Sequence, residues 1–180
     1  MALALLMLVV CSAQTCSLPD TTTDKNICDR NWFNGTYRVG IDLPSGVGAA
    51  HAGTTVNGAD LNVAWDWDVI DPAVTFSVVV FEPLVEDTLA EFREAWLETL
   101  TANNQFVIMI EQYMSLDDGT QGWYLAITPT NQEGINIEYV MTVTQGRLVY
   151  VSATYGADLV SDTQADQIGE VLQSLCADLQ

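Results

Sequence analysis

From Val39 to Leu43 the apolar residues Val39, Ile41 and Leu43 alternate with Gly40 and Asp42, and Arg38 precedes them. A period of two predicts a strand with one buried face, and Pro44-Ser45-Gly46 stops it. Gly46 to Gly58 is rich in small residues and reads as a long loop. Alternation resumes with Leu61, Val63, Trp65, Trp67 and Val69 against Asn62, Asp66 and Asp68, which predicts a second strand with one aromatic face. After a turn at Asp71-Pro72, Val74 to Phe81 is apolar almost without interruption. Such a run predicts a central strand covered on both faces.

The period changes after Pro83. Asp87 or Thr88 begins a helix, the second supported by Glu91 as the far half of a capping box. Leu89, Phe92, Trp96 and Leu100 fall on one helical stripe, and Asn103-Asn104 ends it. Four more strands follow: 106–113, 122–128, 135–143 and 147–155. The connections Asp117-Asp118-Gly119, Asn131-Gln132-Glu133-Gly134 and Gln145-Gly146 each provide a glycine for positive φ, so these strands form an antiparallel meander. Ser161 or Asp162 caps a last helix whose Ala165, Ile168, Leu172, Leu175 and Leu179 face the sheet. The order is βββ-α-ββββ-α. It predicts an α+β fold, an antiparallel sheet of about seven strands flanked by two main helices in an α/β/α sandwich. Periodicity alone does not say which face each helix takes.

Met1 to Val10 carries no charge and almost no polarity. It is too short to span a bilayer, which takes about 20 residues, but matches the apolar region of an export signal. The first basic residue is Lys25, so a positive leading segment is missing, which an upstream start or an uncleaved N-terminus would explain. Two processing routes stand open. Cleavage after Ala13 releases a soluble protein beginning at Gln14; alternatively Cys16 or Cys11 receives a lipid, although neither is preceded by the full pattern of a small residue and a leucine. The chain thus divides into a leader (1–15), a polar, threonine-rich tether (16–33) and a globular domain (34–180). Exported chains pair their thiols. If Cys16 is lipidated, Cys28 and Cys176 remain as a pair joining the start of the domain to the last helix; Cys176 as a plain buried thiol is the alternative.

Charge narrows the partners. With 24 acidic and 5 basic residues the net charge is -19, which repels phosphate backbones and anionic headgroups and argues against nucleic acid as a ligand. A hydrophobic fraction of 49% excludes disorder as the reason for that charge.

The element order, and the opening Tyr37-Arg38-Val39-Gly40-Ile41-Asp42-Leu43-Pro44-Ser45-Gly46, resemble the PsbP-like superfamily, which includes the extrinsic photosystem proteins and exported or lipid-anchored bacterial relatives such as the DcrB-like proteins. The resemblance runs from Asn34 to Asp178. It implies a non-catalytic binding or assembly domain, and it transfers no active-site motif. Photosystem members dock partly through basic residues, which this acidic chain lacks.

Candidate chemistry is sparse. Asp66, Asp68 and Asp71 are the best cation candidate, since calcium takes several carboxylate oxygens, and the first two would share a strand face. The bland alternative is the solvated side of that strand. Asp117-Asp118 reads as a turn. His51, the sole histidine, sits in a loop with no nucleophile motif, and no C-x-x-C spacing marks a metal site. Trp65 and Trp67 would make a stacking platform if exposed and core if buried. Asn34-Gly35-Thr36 fits a glycosylation acceptor but also a turn. The expected function is therefore an exported, envelope-associated (periplasmic or secreted), non-enzymatic domain without a cofactor, binding a protein or envelope component and reaching the membrane through its lipid if lipidated. An extracytoplasmic hydrolase with a carboxylate or cation-assisted site and a calcium-stabilised structural module are the alternatives.

Overall fold

The structure, a computed structural model, describes residues 28–53, 56, 58–82, 88–102, 104–132, 134–144 and 146–177. The leader, both lipidation candidates Cys11 and Cys16, the tether up to residue 27, and Asp87 lie outside the described residues. The strands are β1 (Trp32–Asn34), β2 (Val39–Ile41), β3 (His51–Ala52), β4 (Leu61–Trp67), β5 (Val74–Phe81), β6 (Phe106–Ser115), β7 (Gln121–Pro129), β8 (Ile135–Thr144), β9 (Arg147–Gly156) and β10 (Cys176–Ala177). The helices are α1 (Leu89–Ala102) and α2 (Asp162–Gln173).

Seven strands make one antiparallel sheet in the order β3-β4-β5-β9-β8-β7-β6, and β1-β2-β10 make a small second sheet. The expected α+β sandwich with two main helices is present. Its seventh strand is β3, within the stretch read as a loop, whereas the predicted first strand (β2) lies in the small sheet. The short period-two signal at Val39 to Leu43 fixed a strand but not its neighbours. Those neighbours are β1, from the end of the expected tether, and β10, where the last helix was expected to continue. Gly40 permits this pairing, since a Cβ there would stand 2.9 Å from the Trp32 carbonyl oxygen.

Alternate faces of the large sheet carry separate cores. On one, Phe76, Val78, Val140, Val151 and Ala153 meet Ile168, Val171 and Leu172 of α2, together with Val39 and Ile41 of the small sheet. On the other, Val79, Trp123, Leu125, Met141 and Tyr150 meet Leu89, Phe92 and Leu100 of α1. The continuous apolar run of β5 is explained by this double covering, Val78 and Val79 both being buried.

Capping fixes where each helix begins. Thr88 Oγ1 accepts from the Glu91 amide while the Glu91 carboxylate accepts from the Thr88 amide, so Thr88 is the cap. Ser161 and Gln164 form the same reciprocal box on α2. The helix expected to run on through Leu175 to Leu179, the latter outside the described residues, instead stops at Ser174, whose Oγ accepts from the Asp42 amide and donates to the Val171 carbonyl. Cys176 is then free to enter β10, where it is disulfide-bonded to Cys28 with Cα atoms 5.6 Å apart. The bridge therefore anchors the first described residue to a strand after the helix rather than to the helix itself.

Candidate functional site

One helix is about 10–12 Å across with its side chains, whereas strands repeat every 4.7–4.9 Å, so a single helix covers about two strands of a sheet. On the α2 face the small sheet lies toward β4 and β5, and α2 lies on β9 and β8. Nothing described covers β7 and β6 there. The result is a groove of about 680 Å³ between α2 and the outermost strand, floored by Tyr124 and Val140 and walled by Ile110 and Met114 on one side and Asp166 and Glu170 on the other.

The outer wall of this groove is an open sheet margin. β6 is 10 residues long and is hydrogen-bonded to β7 on one side only. Its sequence Phe-Val-Ile-Met-Ile is as apolar as a central strand, yet Met109 is 63% exposed and Val107 and Ile110 are 50% exposed each. A bulge at Met109 shifts the register between Ile108 and Ile110, and pairing is regular from Ile110 to Ser115. The opposite margin differs sharply, because β3 has 2 residues, too few to template another strand.

On the groove floor, Glu138 of β8 holds two phenols. Tyr124 Oη donates to its Oε2 at 2.8 Å, and Tyr155 Oη donates to its Oε1. Burial first, and then the Glu138 carboxylate, push both phenols well above the ordinary tyrosine range. The described groove lining holds three carboxylates, Glu138, Asp166 and Glu170, and no basic side chain. The other face of β6 is neutralised locally. Arg93 of α1 donates to Glu111 and lies over the Tyr113 ring at 5.8 Å, and the hydrogen bond to Glu111 raises the guanidinium pKa.

The residues singled out from the sequence fall elsewhere. Asp66 accepts from Thr75 Oγ1 at 2.8 Å and lies 3.2 Å from His51 Nε2. Asp68 is in the turn beyond β4 rather than on its face, and Asp71 is exposed in the following bend. Among the described residues no three His, Cys, Asp or Glu side chains gather as a metal-binding group. Trp65 and Trp67 are buried in the core, at 3% and 4% exposure. Asp118 accepts from the Thr120 amide in its turn, and Asp117 pairs with Arg30, which also binds Asp42. That pairing occupies two of the three carboxylates, Asp42 and Asp117, of a smaller recess of about 290 Å³ between the Asp42 to Ser45 turn and the end of α2, the third being Glu170. Asn34 Oδ1 accepts from the amides of Thr36 and Tyr37, so Asn34 serves a turn.

The solution structure of cyanobacterial PsbP (CyanoP) from Synechocystis sp. PCC 6803 superposes with a TM-score of 0.61 at 14% identity, covering 82% of this chain and 91% of that one. The fold is PsbP-like. The Ran-binding protein Mog1p of Saccharomyces cerevisiae is a weaker match, with a TM-score of 0.49, 12% identity, and coverage of 77% of this chain and 89% of that one. No protein-family model and no curated protein sequence matches the chain. The groove was not visible in the sequence of the PsbP-like sandwich. The one signal it left is the apolar stretch Val107 to Ile110 ahead of Glu111-Gln112, which is exposed in the structure.

Proposed function

We propose that this protein is a non-enzymatic binding domain, acting outside the cytoplasm, that docks an extended segment of a protein partner along β6. The observation that carries the reading is the regular, unpaired Ile110 to Ser115 margin running beside the groove under α2. A partner strand laid there gains backbone hydrogen bonds along the sheet edge, and its alternate side chains enter the groove, the physics of β-strand addition. Ile110 is already half-buried, so covering the rest of it would contribute about 1–1.5 kcal/mol. The Cys28–Cys176 disulfide supports an oxidising compartment, and the apolar leader supports export, with Cys16 or Cys11 as lipid attachment points.

The experiment is in-cell photocrosslinking with a diazirine amino acid at Gln112, exposed on β6, and the same group at His51 on the opposite margin as control. A discrete adduct from Gln112 and none from His51 supports docking on this edge. Adducts from neither, or from both alike, overturn it. Turnover by the purified protein in a hydrolase substrate panel would overturn the non-enzymatic part of the reading.

A further inference from the structure

The groove has a charge as well as a shape. Its floor and α2 wall carry Glu138, Asp166 and Glu170 with no basic side chain among the described lining, within a chain of net charge -19. The arginines nearest the edge are already committed, Arg93 to Glu111 and Arg30 to Asp42 and Asp117. Side chains of an added strand alternate, so every second one would lie over Gln112 and Met114 toward those three carboxylates, and the others would lie over Glu111 and Tyr113 on the α1 side.

Resting on the docking reading above, we infer that the segment taken up by β6 is basic: an extended peptide whose groove-facing positions are lysine or arginine and whose remaining positions are apolar. The apolar positions would cover Ile108 and Tyr113, which are exposed on the α1 side of the strand. A second copy of this chain fits poorly. It would bring a further -19 to the same surface, and its own β6 would set carboxamide and apolar side chains, not cations, against the groove.

The probe is a fluorescein-labelled peptide matched to β6 at 10 residues, alternating lysine with valine, titrated into the purified full-length protein with its disulfide intact. Three comparisons accompany it: the glutamate-for-lysine peptide, the lysine peptide N-methylated at alternate amides, and the Asp166→Asn/Glu170→Gln variant, whose exposed sites leave folding intact. The lysine peptide is expected to bind, the glutamate peptide not at all. N-methylation and the double variant are each expected to weaken binding about tenfold, equivalent to about 1.4 kcal/mol. Amide shifts in NMR should map to β6 and α2. Equal binding by the N-methylated peptide would show bulk charge attraction only and overturn the inference. So would binding by the glutamate peptide, or a Gln112 crosslink at twice the protein's own mass, although both would leave β6 as a docking edge. A Gln112 adduct without any lysine-peptide binding would likewise sink the basic partner and keep the edge. Absence of both would sink the two readings together.

Discussion

Trp32 and Trp65 meet edge to face, with ring centroids 4.8 Å apart and planes at 74°. One belongs to the small sheet and the other to β4 of the large sheet, so this contact holds the two sheets together. Trp65 is almost wholly buried and its replacement by alanine should cost about 3–5 kcal/mol in urea unfolding. A double-mutant cycle with Trp32→Ala should return a coupling of about 0.5–1.5 kcal/mol, and a coupling near zero would mean the sheets do not depend on this pair.

The disulfide closes a loop spanning a sequence separation of 148 residues. Replacing Cys28 and Cys176 together by serine should lower unfolding free energy by about 2–5 kcal/mol, and adding reductant to the native protein should lower it comparably. The check is a pair of urea titrations read by tryptophan fluorescence. If the native midpoint stays fixed under reductant while free thiols appear, the bridge contributes nothing to stability.

Alkaline stability follows from four phenols. Burial pushes Tyr139 up to about 12, and pushes Tyr124, Tyr150 and Tyr155 upward as well. An unfolded tyrosine titrates near pH 10. The folded state therefore holds these protons more tightly than the unfolded one, and the associated stability is complete below about pH 10 and is lost as pH rises through the folded values. The urea midpoint should fall steeply above about pH 10, and in a Tyr37→Phe/Tyr113→Phe background, which leaves only these four phenols, phenolate absorbance should rise together with unfolding rather than before it. Gradual phenolate formation in the folded protein would contradict this.

Calcium should act on this protein as a general cation. Asp66 is engaged by Thr75 and His51, and Asp68 and Asp71 stand apart from it in the turn. Melting in calcium is expected to match melting in magnesium at equal ionic strength, both rising slightly as the charge of -19 is screened. A calcium-specific rise abolished by Asp66→Asn would instead establish a cation site there.

Surface changes on β6 should separate stability from association. Met109→Lys, at the bulge, should change unfolding free energy by no more than about 0.5 kcal/mol while reducing partner capture, because a charge on an edge opposes strand addition. Differential scanning calorimetry alongside the yield of the Gln112 crosslink reads both. A large loss of stability would place Met109 in the core.

The sandwich was legible because its long elements carry strong periods: the Leu89, Phe92 and Leu100 stripe of α1 and the Ile168 and Leu172 positions of α2 are buried as spacing implied. Short strands were not. β1, β3 and β10 have 2 or 3 residues each, too few for alternation to register, and they exist because long-range pairing holds them. The groove escaped for a different reason. Period reports that a face is apolar, not that a neighbouring element covers it, so the strand at 106–113 could be placed but its position at the margin of the sheet could not. Conversely the conspicuous Trp65, Trp67 and Asp66 to Asp71 cluster drew the chemical interest, and the two tryptophans are core.

The unequal margins of the large sheet set a limit on stoichiometry. With β3 reduced to 2 residues, the large sheet can be extended at β6 but not at its opposite margin. Two molecules meeting through that margin would therefore close on each other as a finished pair. Fibrous propagation through edges, the hazard of an apolar exposed strand, is thereby blocked at the far end of the same sheet.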